Sequence, residues 1–104
     1  MLDAGTLPTA VVAGSDQCAI GLLIELRRAG IDVPGRVSIV GYDDIRSAQL
    51  AHISLTTVRQ DAGQLARLAV QAAVERLDNG LDGETREFSL APQLVVRGST
   101  GPVC

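Results

Sequence analysis

Apolar residues along this chain fall into short solid runs, separated by stretches in which they recur every third or fourth position. The first run is Thr-Ala-Val-Val-Ala at residues 9–13. It has no clean polar alternation, so it reads as a strand covered on both faces, as in a parallel sheet. Pro8 stands just before it, where a missing N–H is tolerated. Gly14-Ser15-Asp16 ends the run. Ser15 suits a helix N-cap, and Asp16 puts negative charge in the first turn, where the helix dipole favours it. A helix is predicted over residues 16–29, with Gly30 just past its end. At about 100° per residue, Ala19, Leu22, Leu23 and Leu26 form one stripe that packs on the sheet. Ile20 and Ile24 lie off that stripe. They need a second partner, either another part of the same domain or a second subunit.

Pro34-Gly35 is a turn signal before the second run, Val-Ser-Ile-Val-Gly at residues 37–41. Strand, helix and strand at this spacing form a βαβ unit, so the two strands should be parallel. Asp43 and Asp44 stand where the second strand ends. Residues 45–54 read as a mixed loop holding the single histidine, His52. Leu-Thr-Thr-Val-Arg at 55–59 is a third strand. Asp61 and Gln64 have capping-box spacing for a helix that runs to about Asp78 and ends at Asn79-Gly80. Its apolar face is Leu65, Leu68, Ala69, Ala72 and Ala73. Short strands are expected at 87–90 and, beyond Pro92, at 94–97. The tail from Gly98 is rich in Gly, Ser, Thr and Pro and is expected to fray. The fold class is α/β, built of βαβ units with a mainly parallel sheet.

Composition narrows the function. The chain has 104 residues, enough for one small domain, and 46% of them are hydrophobic. Tyr42 and Phe88 are the only aromatics, so the core must be aliphatic. The net charge is −3 and no Lys/Arg cluster is present, which argues against this segment holding nucleic acid. No apolar run reaches the length of a membrane span and no secretory signal is visible. Cys18 and Cys104 are too few and too far apart for a disulfide framework or a metal site, so a reduced, cytoplasmic setting is expected.

Three polar residues follow three successive predicted strands: Ser15, Asp43 and Gln60. Ligands of open α/β sheets bind outside the carboxyl ends of the strands. A carboxylate accepting from vicinal hydroxyls, an amide and a short hydroxyl suit a neutral polyhydroxylated ligand. Ser15 is equally explained as a helix cap. Asp43 is better explained by a ligand, because adjacent carboxylates repel unless something uses them. One such use is Mg²⁺, in a phosphotransfer enzyme with Arg59 steadying the phosphate. Catalytic readings are otherwise thin. His52 has no nucleophile-elbow serine to serve, Cys18 reads as a small packing residue, and no phosphate-binding glycine loop is present. No cofactor and no metal are expected.

Pro8 to Val11, Ser15-Asp16 with Ala19-Ile20-Gly21, residues 37–44, 55–60 and 94–100 together resemble the C-terminal part of a lac/gal repressor-family (LacI) transcriptional regulator. The match runs in order over nearly the whole chain. The resemblance implies part of a core shaped like a periplasmic sugar-binding protein, with two α/β subdomains and a small effector, usually sugar-like, between them. It implies that residues 1–60 belong to the C-terminal subdomain, 61–90 cross into the opposite one, and 91–104 return. It implies effector contacts from Asp43, Ser15 and Gln60, with Ser15 where many relatives carry Asn and Ala62 where some carry a bulkier contact. It implies a homodimer formed through Ile20 and Ile24 and through the loop with Ala48, Ala51, His52 and Ile53. The resembling family reads DNA through a helix-turn-helix that this chain does not contain, so the chain is expected to be a fragment. A periplasmic sugar-binding protein of a transporter shares the fold and stands as the alternative.

Overall fold

A computed structural model describes residues 7–79 and 89–103. The elements are β1 (Ala10–Val12), α1 (Asp16–Arg28), β2 (Ser38–Val40), a 3₁₀ turn (Arg46–Gln49), β3 (Thr57–Arg59), α2 (Ala62–Asn79) and β4 (Gln93–Val95). The chain divides into two compact units, one of Met1–Arg59 with Gln93–Cys104, the other Gln60–Pro92.

In the first unit, β1 and β2 pair in parallel, with Val11 opposite Ile39. The sheet continues through a parallel bridge from Val40 to Thr56, and β4 closes it antiparallel to β3, with Thr57 opposite Val95. The side chains of Val11, Ile39 and Thr57 therefore share one face. Ala19, Leu23 and Leu26 of α1 are buried in the core of this unit, with Val33, Val37, Ile39, Ala48, Ile53 and Leu55. Leu22 is only half-buried. α1 starts and stops as expected: the Ser15 hydroxyl accepts from the Cys18 N–H, and Gly30 takes a left-handed φ of 77° past the Ala29 C-cap. Cys18 itself is exposed, so it is not a packing residue.

Two expectations fail here. The first strand is not covered on both faces, for Val12 is 78% exposed while Val11 is half-buried. Only one face of the sheet meets α1. Residues 98–101 do not fray either. Ser99 is fully buried, its Oγ donating to the Ile39 carbonyl at 2.6 Å and accepting from the Thr56 N–H at 2.8 Å. Its own N–H donates to Ser54 O, and its carbonyl accepts from the Ile39 N–H. Ser99 thus fills the gap where β2 and β3 have not yet closed on each other.

Among the described residues, the second unit is formed mainly by α2. The Asp61 carboxylate accepts from the Gln64 N–H at 2.9 Å, as the capping spacing predicts. Leu65, Leu68 and Ala72 are half-buried, whereas Ala69 and Ala73 are exposed. The strand expected at 87–90 begins outside the described residues, and Ser89 and Leu90 are irregular.

Candidate functional site

Parallel neighbours share a direction, so the carboxyl ends of β1, β2 and β3 lie on one edge of the sheet. Ser15 follows β1 in extended backbone and is half-buried beneath its capping role. Asp43 follows β2. Gln60 comes directly after β3 but opens the second unit, so the first unit by itself brings together only Ser15 and Asp43.

The two carboxylates at the end of β2 are held in different ways. Asp43 has a φ of 120° and Asp44 a φ of 55°. Positive φ at Asp43 costs an L-residue on the order of 1–3 kcal/mol and persists only where its surroundings enforce it. Its N–H donates to Val58 O at 2.9 Å, extending the β2–β3 ladder by one rung. Its side chain is exposed and has no hydrogen-bond partner among the described residues. Asp44 turns the other way. Its side chain is 2% exposed, one oxygen accepting from Arg97 and the other from Arg59, each at 2.7 Å. Arg97 also donates to Leu55 O. The Arg97 hydrogen bond, opposed by burial and helped by Arg59, holds the Asp44 carboxyl below the usual aspartate value. A carboxylate with both oxygens on guanidinium groups is not available to share a cation with Asp43. Arg59, the candidate for steadying a phosphate, is bound to Asp44 instead.

Asp16 carries more than a favourable charge for the helix. It is fully buried. One carboxylate oxygen accepts from the Thr57 hydroxyl and the other from the Ile45 N–H at 2.8 Å. Its own N–H donates to Tyr42 O. Gly41 is bare for this reason: a Cβ there would lie 2.3 Å from the Asp16 carboxylate and 2.9 Å from Leu55. Nothing in the sequence marks this role, since an aspartate in the first turn has an ordinary explanation and Thr57 lies 41 residues away.

The residues expected at a subunit contact divide. Ala48 and Ile53 are in the core, at 0% and 5% exposure, because the 3₁₀ turn folds the loop back onto it. Their side chains face inward and are not offered to a partner. Ile20 is half-buried against the core, while Ile24, Ala51 and His52 are exposed. The His52 carbonyl accepts from Arg27, which ties the 51–53 turn to the end of α1. The described residues contain no group of three or more His, Cys, Asp or Glu able to hold a metal. None of their helices is long and apolar enough to cross a membrane. A surface depression of about 240 Å³ lies at the opposite edge, where the strands begin. Its Ser38 hydroxyl is already bonded to Gly101, so it adds nothing to the carboxyl-end site.

Residues 1–100 match the family model described as periplasmic binding protein-like domain. The chain is 41% identical over 92 residues to the HTH-type transcriptional regulator MalR of Streptomyces coelicolor, covering 88% of this chain and 26% of that protein. It superposes on a LacI transcriptional regulator of a Rhodococcus species with a TM-score of 0.85 and 47% identity, over 94% of this chain and 35% of the other. A LacI family regulator of Lactobacillus casei with bound sucrose gives a TM-score of 0.79 at 32% identity, again over 94% and 35%. The chain thus spans about a third or less of the length of these relatives.

Proposed function

Since the chain belongs to the periplasmic binding protein-like domain family, we propose that it is the effector-sensing and dimerising region of a LacI-type transcriptional regulator. The effector is a sugar-like polyhydroxylated molecule, bound at the carboxyl ends of β1, β2 and β3. Asp43 accepts from its hydroxyls and Ser15 adds a short hydroxyl contact. The region has no catalytic step. It acts by binding one arrangement of the regulator better than another, which changes the geometry of paired DNA readers lying outside these 104 residues. The regulator works as a homodimer in the cytoplasm and needs no cofactor or metal.

One observation carries this reading. Of two adjacent aspartates, Asp44 is locked by two arginines, and Asp43 is held in unfavourable backbone with its carboxylate unspent. Strained residues of this kind concentrate at ligand sites. The regulator reading is preferred to a transporter's binding protein because the relatives above are regulators. A phosphotransfer enzyme would need the carboxylate that Arg59 and Arg97 occupy.

Calorimetry on the full-length protein with a panel of mono- and disaccharides tests it. Hydrogen bonds to a charged group contribute about 1.5–3 kcal/mol, so Asp43→Ala should weaken the best sugar by roughly 10- to 100-fold. Operator binding without sugar should stay as it was. Unchanged sugar affinity would remove Asp43 from the site.

A further inference from the structure

We infer that Asp16 is a positioning residue for the effector site, acting through Thr57 and Ile45 to hold the loop that presents Asp43. This rests on Asp43 being the effector contact. Asp16 stands in the first turn of α1, next to Ser15, and grips the loop on both sides of Asp43. Before Asp43, its N–H donates to Tyr42 O at 2.9 Å. After it, its carboxylate accepts from the Ile45 N–H at 2.8 Å. The other oxygen accepts from the Thr57 hydroxyl, which itself accepts from the Asp44 N–H at 3.3 Å. Four consecutive residues, Tyr42 to Ile45, are thus tied to α1 or to β3, since Asp43 N–H donates to Val58 O. Asp43 alone among them combines a φ of 120° with an exposed side chain.

The chemistry requires a carboxylate at this point. The Ile45 amide and the Thr57 hydroxyl are both donors aimed at one side chain, and a carboxylate offers acceptors to both without presenting a donor. An amide presents one acceptor and one donor, so it opposes a donor to a donor on one side. Thr57 cannot fully compensate by turning, because its oxygen already accepts from Asp44. Asp16 and Thr57 are both fully buried, so a mismatch between them is not relieved by water. The Gly41 position agrees, since the carboxylate occupies the space any side chain there would need.

Three variants of the full-length protein decide the matter, read by calorimetry with glucose, sucrose and cellobiose, and by thermal unfolding. Asp16→Asn and Thr57→Val should each fold and raise the Kd for the tightest of these sugars by about tenfold, the worth of one hydrogen-bonded contact to a charged group. Thr57→Ser keeps the hydroxyl and should return the Kd to within about twofold of wild type. A purely structural role would lower the melting temperature without changing Kd in the folded protein. Wild-type affinity in folded Asp16→Asn or Thr57→Val, or a Thr57→Ser protein as weak as Thr57→Val, overturns the inference. Asp43→Ala measured alongside separates the two readings. Weakening there with no effect at Thr57 defeats the positioning role alone, whereas no effect at Asp43, or no sugar bound by wild type, defeats both.

Discussion

Asp44 shows how one buried carboxylate can be stable at neutral pH and a liability in acid. Its side chain is 2% exposed, and Arg97, at 16%, is the better-shielded of its two partners, with Arg59 at 49%. Exposed ion pairs contribute about 0–1 kcal/mol, whereas breaking a buried pair by removing one partner costs about 3–5 kcal/mol. Arg97→Ala should therefore destabilise clearly more than Arg59→Ala in urea unfolding. Equal losses would show that exposure does not rank the two contacts. The pH dependence has a definite sign. The folded pKa of Asp44 is depressed, so its contribution is complete above the ordinary aspartate value of 3.8 and is lost as pH falls through the lower folded value. Asp44→Asn should be less stable than wild type at pH 7, and the two should converge as the solution is acidified below that range. A difference that stays constant with pH would show that Asp44 titrates normally. The aspartate pair at a strand end was visible in the sequence as a candidate site. Which aspartate was free was not visible, because Arg97 reaches Asp44 from 53 residues along the chain.

Helices and strands were legible where their signals are local. The Ser15 and Asp61 caps, the Gly30 stop and the solid runs before Gly14 and Gly41 placed α1, α2, β1 and β2. They also gave the parallel β1–β2 pairing. Elements made by distant partners were not legible. The 3₁₀ turn at Arg46–Gln49 lies in a loop of mixed polarity, and only its packing of Ala48 and Ile53 into the core explains it. The segment after β4 looked like a frayed tail because Gly, Ser and Thr are also what a polar tail contains. It is instead a seam. Ser99 joins β2 to β3, and the Thr56 hydroxyl accepts from the Arg97 N–H and meets Thr100 at 2.8 Å. Removing the Ser99 hydroxyl leaves the Thr56 N–H and the Ile39 carbonyl short of a partner inside the sheet, at about 1–3 kcal/mol for each orphaned group. Ser99→Ala should therefore lower the unfolding free energy by about 2–6 kcal/mol in urea. A loss under about 0.5 kcal/mol would place it with ordinary surface substitutions and make the seam incidental.

At the scale of the whole molecule, the exposed residues of α1 and the following turn make one surface. Ile24 and Arg27 are three residues apart and share a helix face. Arg27 donates to the His52 carbonyl, so the turn carrying Ala51 and His52 is fastened beside Ile24. Leu50, at 47% exposure, and Ile24, at 45%, add apolar area that the first unit does not cover. In a two-fold dimer the same patch meets its own copy, so each substitution acts twice. Ile20 is a poor place to test this, because it also packs on the core and a charge there would destabilise the fold itself. Ile24 and Ala51 are both exposed, so Ile24→Asp with Ala51→Asp should leave unfolding nearly unchanged. Across the interface it would bring like charges together and bury carboxylates without partners, which costs several kcal/mol. If the proposed homodimer forms through this patch, light scattering at micromolar concentration on the full-length protein should show a dimer for wild type and a monomer for the double variant. A double variant that folds and still dimerises would move the contact away from α1 and onto another face.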